Sequence, residues 1–184
     1  PSRRCTKNPT HAIFFIHGGS FMYGSIEEYD MAVKKLARIT DKIVVALDYR
    51  LAPEHPYPAA LEDVEAVMDW IIDNRKELGI AGDKITLLGD SAGANLATVL
   101  ALKKRDQQQD HIYCQVLYYP PTTFLEKEFP SRIHFLLDNQ HTYILTEELL
   151  RTTKESYLPD SIPENFPYVS PLEADLSGKL PPAL

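Results

Sequence analysis

Four short apolar runs alternate with stretches of helical spacing, and that alternation restricts the fold more than any other feature of the chain. His11 to Ile16 (HAIFFI), Lys42 to Leu47 (KIVVAL), Ile85 to Leu88 and Tyr113 to Tyr119 read as strands, the first two buried. Between them, Tyr29 to Ile39 places Met31, Val33, Leu36, Ala37 and Ile39 among charged residues. Leu61, Val64, Val67, Met68, Ile71 and Ile72 then recur at helical spacing up to Gly79, and Ser91 to Lys104 is a helix rich in small residues. Prolines remove backbone donors and disfavour helix before them, so Pro53 to Pro58 is a loop. The repeated strand, helix, strand order predicts an α/β fold, a mainly parallel sheet with helices on both faces.

From Pro120 the rhythm breaks. Prolines 120, 121, 130, 159, 163, 167, 171, 181 and 182 punctuate the rest, with one helix predicted over Thr146 to Tyr157. This part reads as a cap-like excursion after the fourth strand. With 184 residues and 44% hydrophobic content the chain supports one core, so a single domain is expected. Its core would be 11–120, its cap-like or connecting segment 121–170, and its final stretch 171–184.

Composition excludes several classes of function. Net charge is −7, and Lys103-Lys104-Arg105 is the one tight basic cluster, so a surface that tracks nucleic-acid phosphates is not expected. No apolar run approaches the length of a membrane span. Cys5 and Cys114 are far apart and lack zinc or redox spacing, and there is no HExxH or Cys/His cluster, so neither a catalytic metal nor a cofactor is expected. The cysteine usage suits a reducing compartment, and a cytoplasmic location is the corresponding expectation. His134 and His141, seven apart in the cap-like segment, would share a face if that stretch were helical; surface histidines are the default.

The chemistry concentrates in two segments. Gly89-Asp90-Ser91-Ala92-Gly93 fits Gly-x-Ser-x-Gly between an apolar strand and a helix, a setting that exposes the serine hydroxyl on a sharp turn and makes Ser91 the expected nucleophile. Outside such a setting the same pattern is an ordinary Gly/Ser turn. His17-Gly18-Gly19-Ser20-Phe21 follows the first strand, where backbone N–H groups can meet the oxyanion of acyl transfer. Gly18 and Gly19, joined by Ala92 after the nucleophile, are the expected donors. Asp90 could tune a catalytic imidazole or hydrogen-bond local backbone. Phe21, Tyr23 and Tyr119 could line an acyl pocket or belong to the core.

The chain resembles the hormone-sensitive-lipase-like family of α/β-hydrolases. The resemblance rests on His17 to Gly24 (HGGSFMYG), Asp48 to Asp63 (DYRLAPEHPYPAALED), Gly89 to Ala97 (GDSAGANLA), Tyr119-Pro120 and Ser170 to Leu184 (SPLEADLSGKLPPAL). It implies a serine carboxylic-ester hydrolase acting through an acyl-enzyme on short to medium acyl esters. It also implies that His17 shapes the oxyanion loop and is not the general base, and that Asp48, Arg50, Glu54 and His55 form a structural network. Ser20 stands where the family usually has a third glycine, and its side chain would narrow the pocket or alter the loop. The implied strand order winds the first two strands one way from the centre and the third and fourth the other, with the ligand crevice at the reversal.

The resemblance places the triad acid just after the strand that follows Leu-Pro-Pro-Ala, and the histidine further on. On that reading the triad Asp and His are absent from residues 1–184, which would be an incomplete domain, inactive alone. Asp138 and His141 have the right order but sit three apart in the cap-like segment. Two consequences are expected: an unpaired apolar edge on the fourth strand, with self-association, and a final segment leading to a missing strand. A non-catalytic small-molecule receptor, or a degenerate product on the same fold, is the competing function.

Overall fold

A computed structural model describes residues 11–125 and 146–184. Its centre is a four-stranded parallel sheet of β1 (His11–Ile16), β2 (Val44–Ala46), β3 (Lys84–Asp90) and β4 (Ile112–Tyr118), in the order β2-β1-β3-β4. The helices are α1 (Ile26–Thr40), α2 (Ala59–Asp73), α3 (Ala92–Asp106) and α4 (Glu147–Tyr157). β1 and β3 run side by side over their whole length, from His11 opposite Lys84 to Ile16 opposite Gly89. The chain reverses direction across the sheet between these two central strands, as the resemblance implied.

Right-handed crossovers that progress in opposite directions put their helices on opposite faces. α2 and α3 accordingly pack on each other and on one face, over Phe14, Ile16, Ile85 and Leu87, all under 2% exposed. α1 lies against β2 on the other. Ser25 caps α1, its hydroxyl accepting from Glu28 N, and Thr146 caps α4 in the same way through Leu149 N.

The sheet differs from expectation at both edges. β2 is three half-buried residues rather than a buried six-residue strand, because an edge strand has a neighbour on one side only and α1 buries none of its own residues. β4 is partly paired where an open edge was expected. Gln115 N donates to Pro182 O (2.8 Å), Leu117 N to Leu184 O (2.8 Å) and Leu184 N to Gln115 O (3.0 Å), in parallel register.

The two described ends of the cap-like segment meet in a closed neck. Asn95 on α3, 1% exposed, donates through Nδ2 to Pro121 O (2.7 Å) and Val169 O (3.2 Å). Phe124 N donates to Ser170 Oγ (2.8 Å) and Leu172 N to Thr122 O (2.9 Å). Apolar spacing does not reveal such a clamp, because its acceptors are carbonyls distant in sequence. His134, Asp138 and His141, and Cys5, lie outside the described residues.

Candidate active site

β3 ends at Asp90 and α3 begins at Ala92, leaving Ser91 alone in the turn at φ 49°, ψ −120°. An L-residue is held at positive φ at a cost, and such strain persists only where the surroundings enforce it. Ser91 N donates to Tyr118 O (2.9 Å) and Asn95 N to Ser91 O (3.0 Å), so both flanking peptides are tied down. Among the described residues the Ser91 hydroxyl makes no hydrogen bond, capping or otherwise. Gly93 carries the tight crossing: a Cβ there would lie 2.6 Å from the carbonyl carbon of Ile16, so no side chain fits where α3 starts against the end of β1.

The loop after β1 emerges beside this turn. Gly19 (φ 116°), Ser20 (φ 54°) and Phe21 (φ 59°) all lie at positive φ, and Gly19 O accepts from both Met22 N (2.9 Å) and Tyr23 N (2.8 Å). Ser20 thus holds a left-handed conformation that a glycine would adopt without strain. Buried His17 stacks on Tyr49 at 4.2 Å, and its Nδ1 bonds Gly18 O at 2.7 Å. Tyr49 in turn donates its hydroxyl to His17 O (2.8 Å). Burial, and then the charge of Asp90, push the Tyr49 phenol well above its usual range. It therefore remains a donor.

Asp90 bonds backbone, though not the local backbone that sequence suggested. Its Oδ1 accepts Gly18 N at 3.0 Å across 72 positions of sequence, and its Oδ2 accepts the Tyr29 hydroxyl at 3.0 Å. This changes the expected set of oxyanion donors. The Gly18 N–H is already donated to Asp90, so it is not free for an oxyanion. The backbone N–H groups of Gly19, Ser20 and Ala92 have no acceptor among the described residues.

The three candidate pocket aromatics separate. Phe21 is 1% exposed and stacks on Tyr157 at 3.8 Å, in a cluster that also holds Phe124 and, against Tyr157, the edge-on ring of Tyr57. It is a core residue, because α4 brings Tyr157 over it. Tyr23 and Tyr119 are exposed, and Tyr119 directly follows β4 at φ 43°. In the DYRLAPEHP segment, Arg50 grips Asp63 (Nη2 to Oδ1 2.8 Å) and Glu62 (3.1 Å), while Asp48 accepts Ile26 N (2.6 Å). Glu54 and His55 are exposed and join neither contact.

Sequence reasoning missed Tyr29, Tyr49, Asn95 and Tyr157. Only Asn95 left a local signal, a polar residue one turn after Ser91 among the small and apolar residues that open the helix. Among the described residues no group of three His, Cys, Asp or Glu could hold a metal ion, and no helix is long and apolar enough to cross a membrane. His111, the one described histidine after Ser91, lies at the amino end of β4, at the opposite end of the sheet from the Ser91 turn, with Nδ1 3.1 Å from Asp83 O.

Known proteins resemble this chain in sequence and fold. Esterase LipI of Mycobacterium tuberculosis is 36% identical over 172 residues, covering 93% of this chain and 52% of that protein. Arylacetamide deacetylase-like 2 of Homo sapiens is 31% identical over 175 residues, covering 89% of this chain and 43% of that protein. The solved hyperthermophilic esterase of the archaeon Pyrobaculum calidifontis superposes with a TM-score of 0.88 at 38% identity, covering 96% of this chain and 55% of that one. The chain spans about half the length of the curated relatives it matches. A family model described as alpha/beta hydrolase fold matches residues 13–184. The chain therefore belongs to the α/β-hydrolase fold family, within its hormone-sensitive-lipase-like group.

Proposed function

We propose that the protein containing this chain is a serine carboxylic-ester hydrolase acting on short to medium acyl esters through an acyl-enzyme. The observation that carries the reading is Ser91 itself, strained at φ 49° between β3 and α3 with an unspent hydroxyl, beside a loop whose Gly19 and Ser20 N–H groups lack acceptors among the described residues. The names of the relatives, esterases and carboxylesterases among them, support the same chemistry.

In the proposed reaction Ser91 Oγ gives its proton to a general base and attacks the ester carbonyl carbon. The carbonyl oxygen becomes an oxyanion, and the N–H groups of Gly19, Ser20 and Ala92 stabilise it more than they stabilise the ground state. Collapse of the intermediate expels the alcohol, which takes the proton back from the base and leaves Ser91 acylated. Water then repeats the sequence and releases the acid. Gly18 belongs to the support of the hole, since its N–H is held by Asp90. The base and the carboxylate that orients it are assigned to the part of the relatives' length that this chain does not span.

The full-length protein should label with a fluorophosphonate probe and hydrolyse p-nitrophenyl acetate. Ser91→Ala should abolish both, and hydrolysis that survives the substitution would refute the assignment.

A further inference from the structure

Tyr29 presents a hydroxyl to the site from a helix that contributes nothing else to it. No residue of α1 is fully buried, and Tyr29 itself is half-buried, its ring at the edge of the core and its hydroxyl turned to the site. Its ring leans on Phe15 (5.4 Å) and His17 (5.7 Å), and its hydroxyl reaches Asp90 Oδ2 at 3.0 Å. Asp90 uses its other oxygen to hold Gly18 N. A carboxylate turns easily about its last side-chain bond, so a single hydrogen bond leaves its plane loosely defined. Bonds to both oxygens from two different elements define it.

We propose that Tyr29 is a positioning residue of the ester-cleaving site, its hydroxyl fixing the plane of the Asp90 carboxylate so that the loop bearing the Gly19 and Ser20 donors stays registered over Ser91. The inference rests on the ester-hydrolase reading above. Tyr29, Asp90 and Gly18 form one chain of hydrogen bonds from α1 to the oxyanion loop, and Tyr49 and the His17 ring hold the same loop at the carbonyls of His17 and Gly18. Donors contribute to catalysis in proportion to how well they meet the developing charge, so rotation of this peptide would cost rate without loosening ground-state binding. Burial, and then the charge and hydrogen bond of Asp90, push the Tyr29 phenol up to about 12, so it donates at every pH at which an ester hydrolase would be assayed.

Tyr29→Phe keeps the ring and removes only the hydroxyl. In the full-length protein it should lower kcat for p-nitrophenyl acetate about tenfold with KM changed less than about twofold. It should weaken a trifluoromethyl ketone, whose hemiketal oxyanion occupies the hole, by the same factor as kcat/KM. In an Asp90→Ala background it should cost nothing further, because its effect runs through Asp90. Unchanged kcat, unchanged inhibitor affinity, or an undiminished further loss in the Asp90→Ala background would each overturn the proposal. If Asp90→Ala does not fold, the parallel between kcat/KM and inhibitor affinity in Tyr29→Phe alone decides it. Ser91→Ala serves as the control. Activity that survives it overturns the ester-hydrolase reading and this inference together, whereas its loss beside an unaffected Tyr29→Phe enzyme overturns only the inference.

Discussion

Asp90 Oδ1 accepts the Gly18 N–H at 3.0 Å, joining the residue before Ser91 to the first glycine of the loop opposite. The pairing of β1 with β3, which sets Ile16 beside Gly89, makes that bond possible, since it delivers both loops to the same end of the sheet. The bond divides the work of the loop. Gly18 anchors it, and the N–H groups of Gly19 and Ser20, without acceptors among the described residues, are the proposed oxyanion donors.

Removing the anchor should therefore cost rate. Asp90→Ala in the full-length protein is expected to lower kcat on p-nitrophenyl acetate by roughly 10- to 100-fold with little change in KM. Asp90→Asn should lose less, because an amide oxygen still accepts from Gly18. Steady-state kinetics read both, and undiminished kcat in the Asp90→Ala enzyme would show that the loop holds itself.

The crossing at Gly93 has no slack. A Cβ there meets the backbone of Ile16 and His17, which has no flexible side-chain end to move aside. Gly93→Ala should destabilise the protein by about 3 kcal/mol. A drop in the urea midpoint measures it, and an unchanged midpoint would mean that the α3 start can shift off the sheet.

The edge of β4 is covered by residues 182–184 through three backbone hydrogen bonds, from Gln115 N, Leu117 N and Leu184 N. Hydrogen exchange should find the Gln115 and Leu117 amides protected. Deleting residues 182–184 should expose them and increase self-association, since an uncovered strand edge is a template for another chain. Light scattering across a concentration series checks the second outcome, and identical profiles with and without these residues would contradict it.

Alkali should unfold the protein early. Burial pushes the Tyr57 phenol, with a smaller contribution from Glu62, up to about 12, and burial with Asp106 does the same for Tyr168. Burial also raises Tyr157 well above 10.0. Each phenol binds its proton more tightly in the folded chain than in the unfolded one. The stability they contribute is therefore intact below pH 10.0 and falls as pH rises from there towards 12, where the unfolded chain ionises first. Denaturation midpoints measured upward from neutral pH should show this decline, and Tyr57→Phe should make it shallower.

The strands of the sheet were legible because each is a short run whose character is local. β1 is bounded by residues 11 and 16, as HAIFFI implies, and α3 and α4 end within two residues of their expected limits, whereas α2 stops at Asp73, ahead of the expected Gly79. α1 begins three residues earlier than its apolar spacing suggested, because Ser25 caps it ahead of the first core-spaced residue. The partners of polar groups were not legible. Nothing near Asp90 in sequence says that its carboxylate will choose Gly18 and Tyr29, and nothing near Asn95 names Pro121 and Val169.

Sequence alone determined the alternating architecture and the turn that carries Ser91, because strand periodicity and the space left by a glycine depend on neighbouring residues. Only the tertiary structure decided which N–H groups lack an acceptor among the described residues, that Phe21 lies buried under Tyr157, and that β4 has a partner along its edge. Those outcomes depend on elements far apart in the chain meeting at one end of the sheet. A hydrogen bond or a ring contact is satisfied by whatever the packing brings within reach, and local sequence holds no record of that.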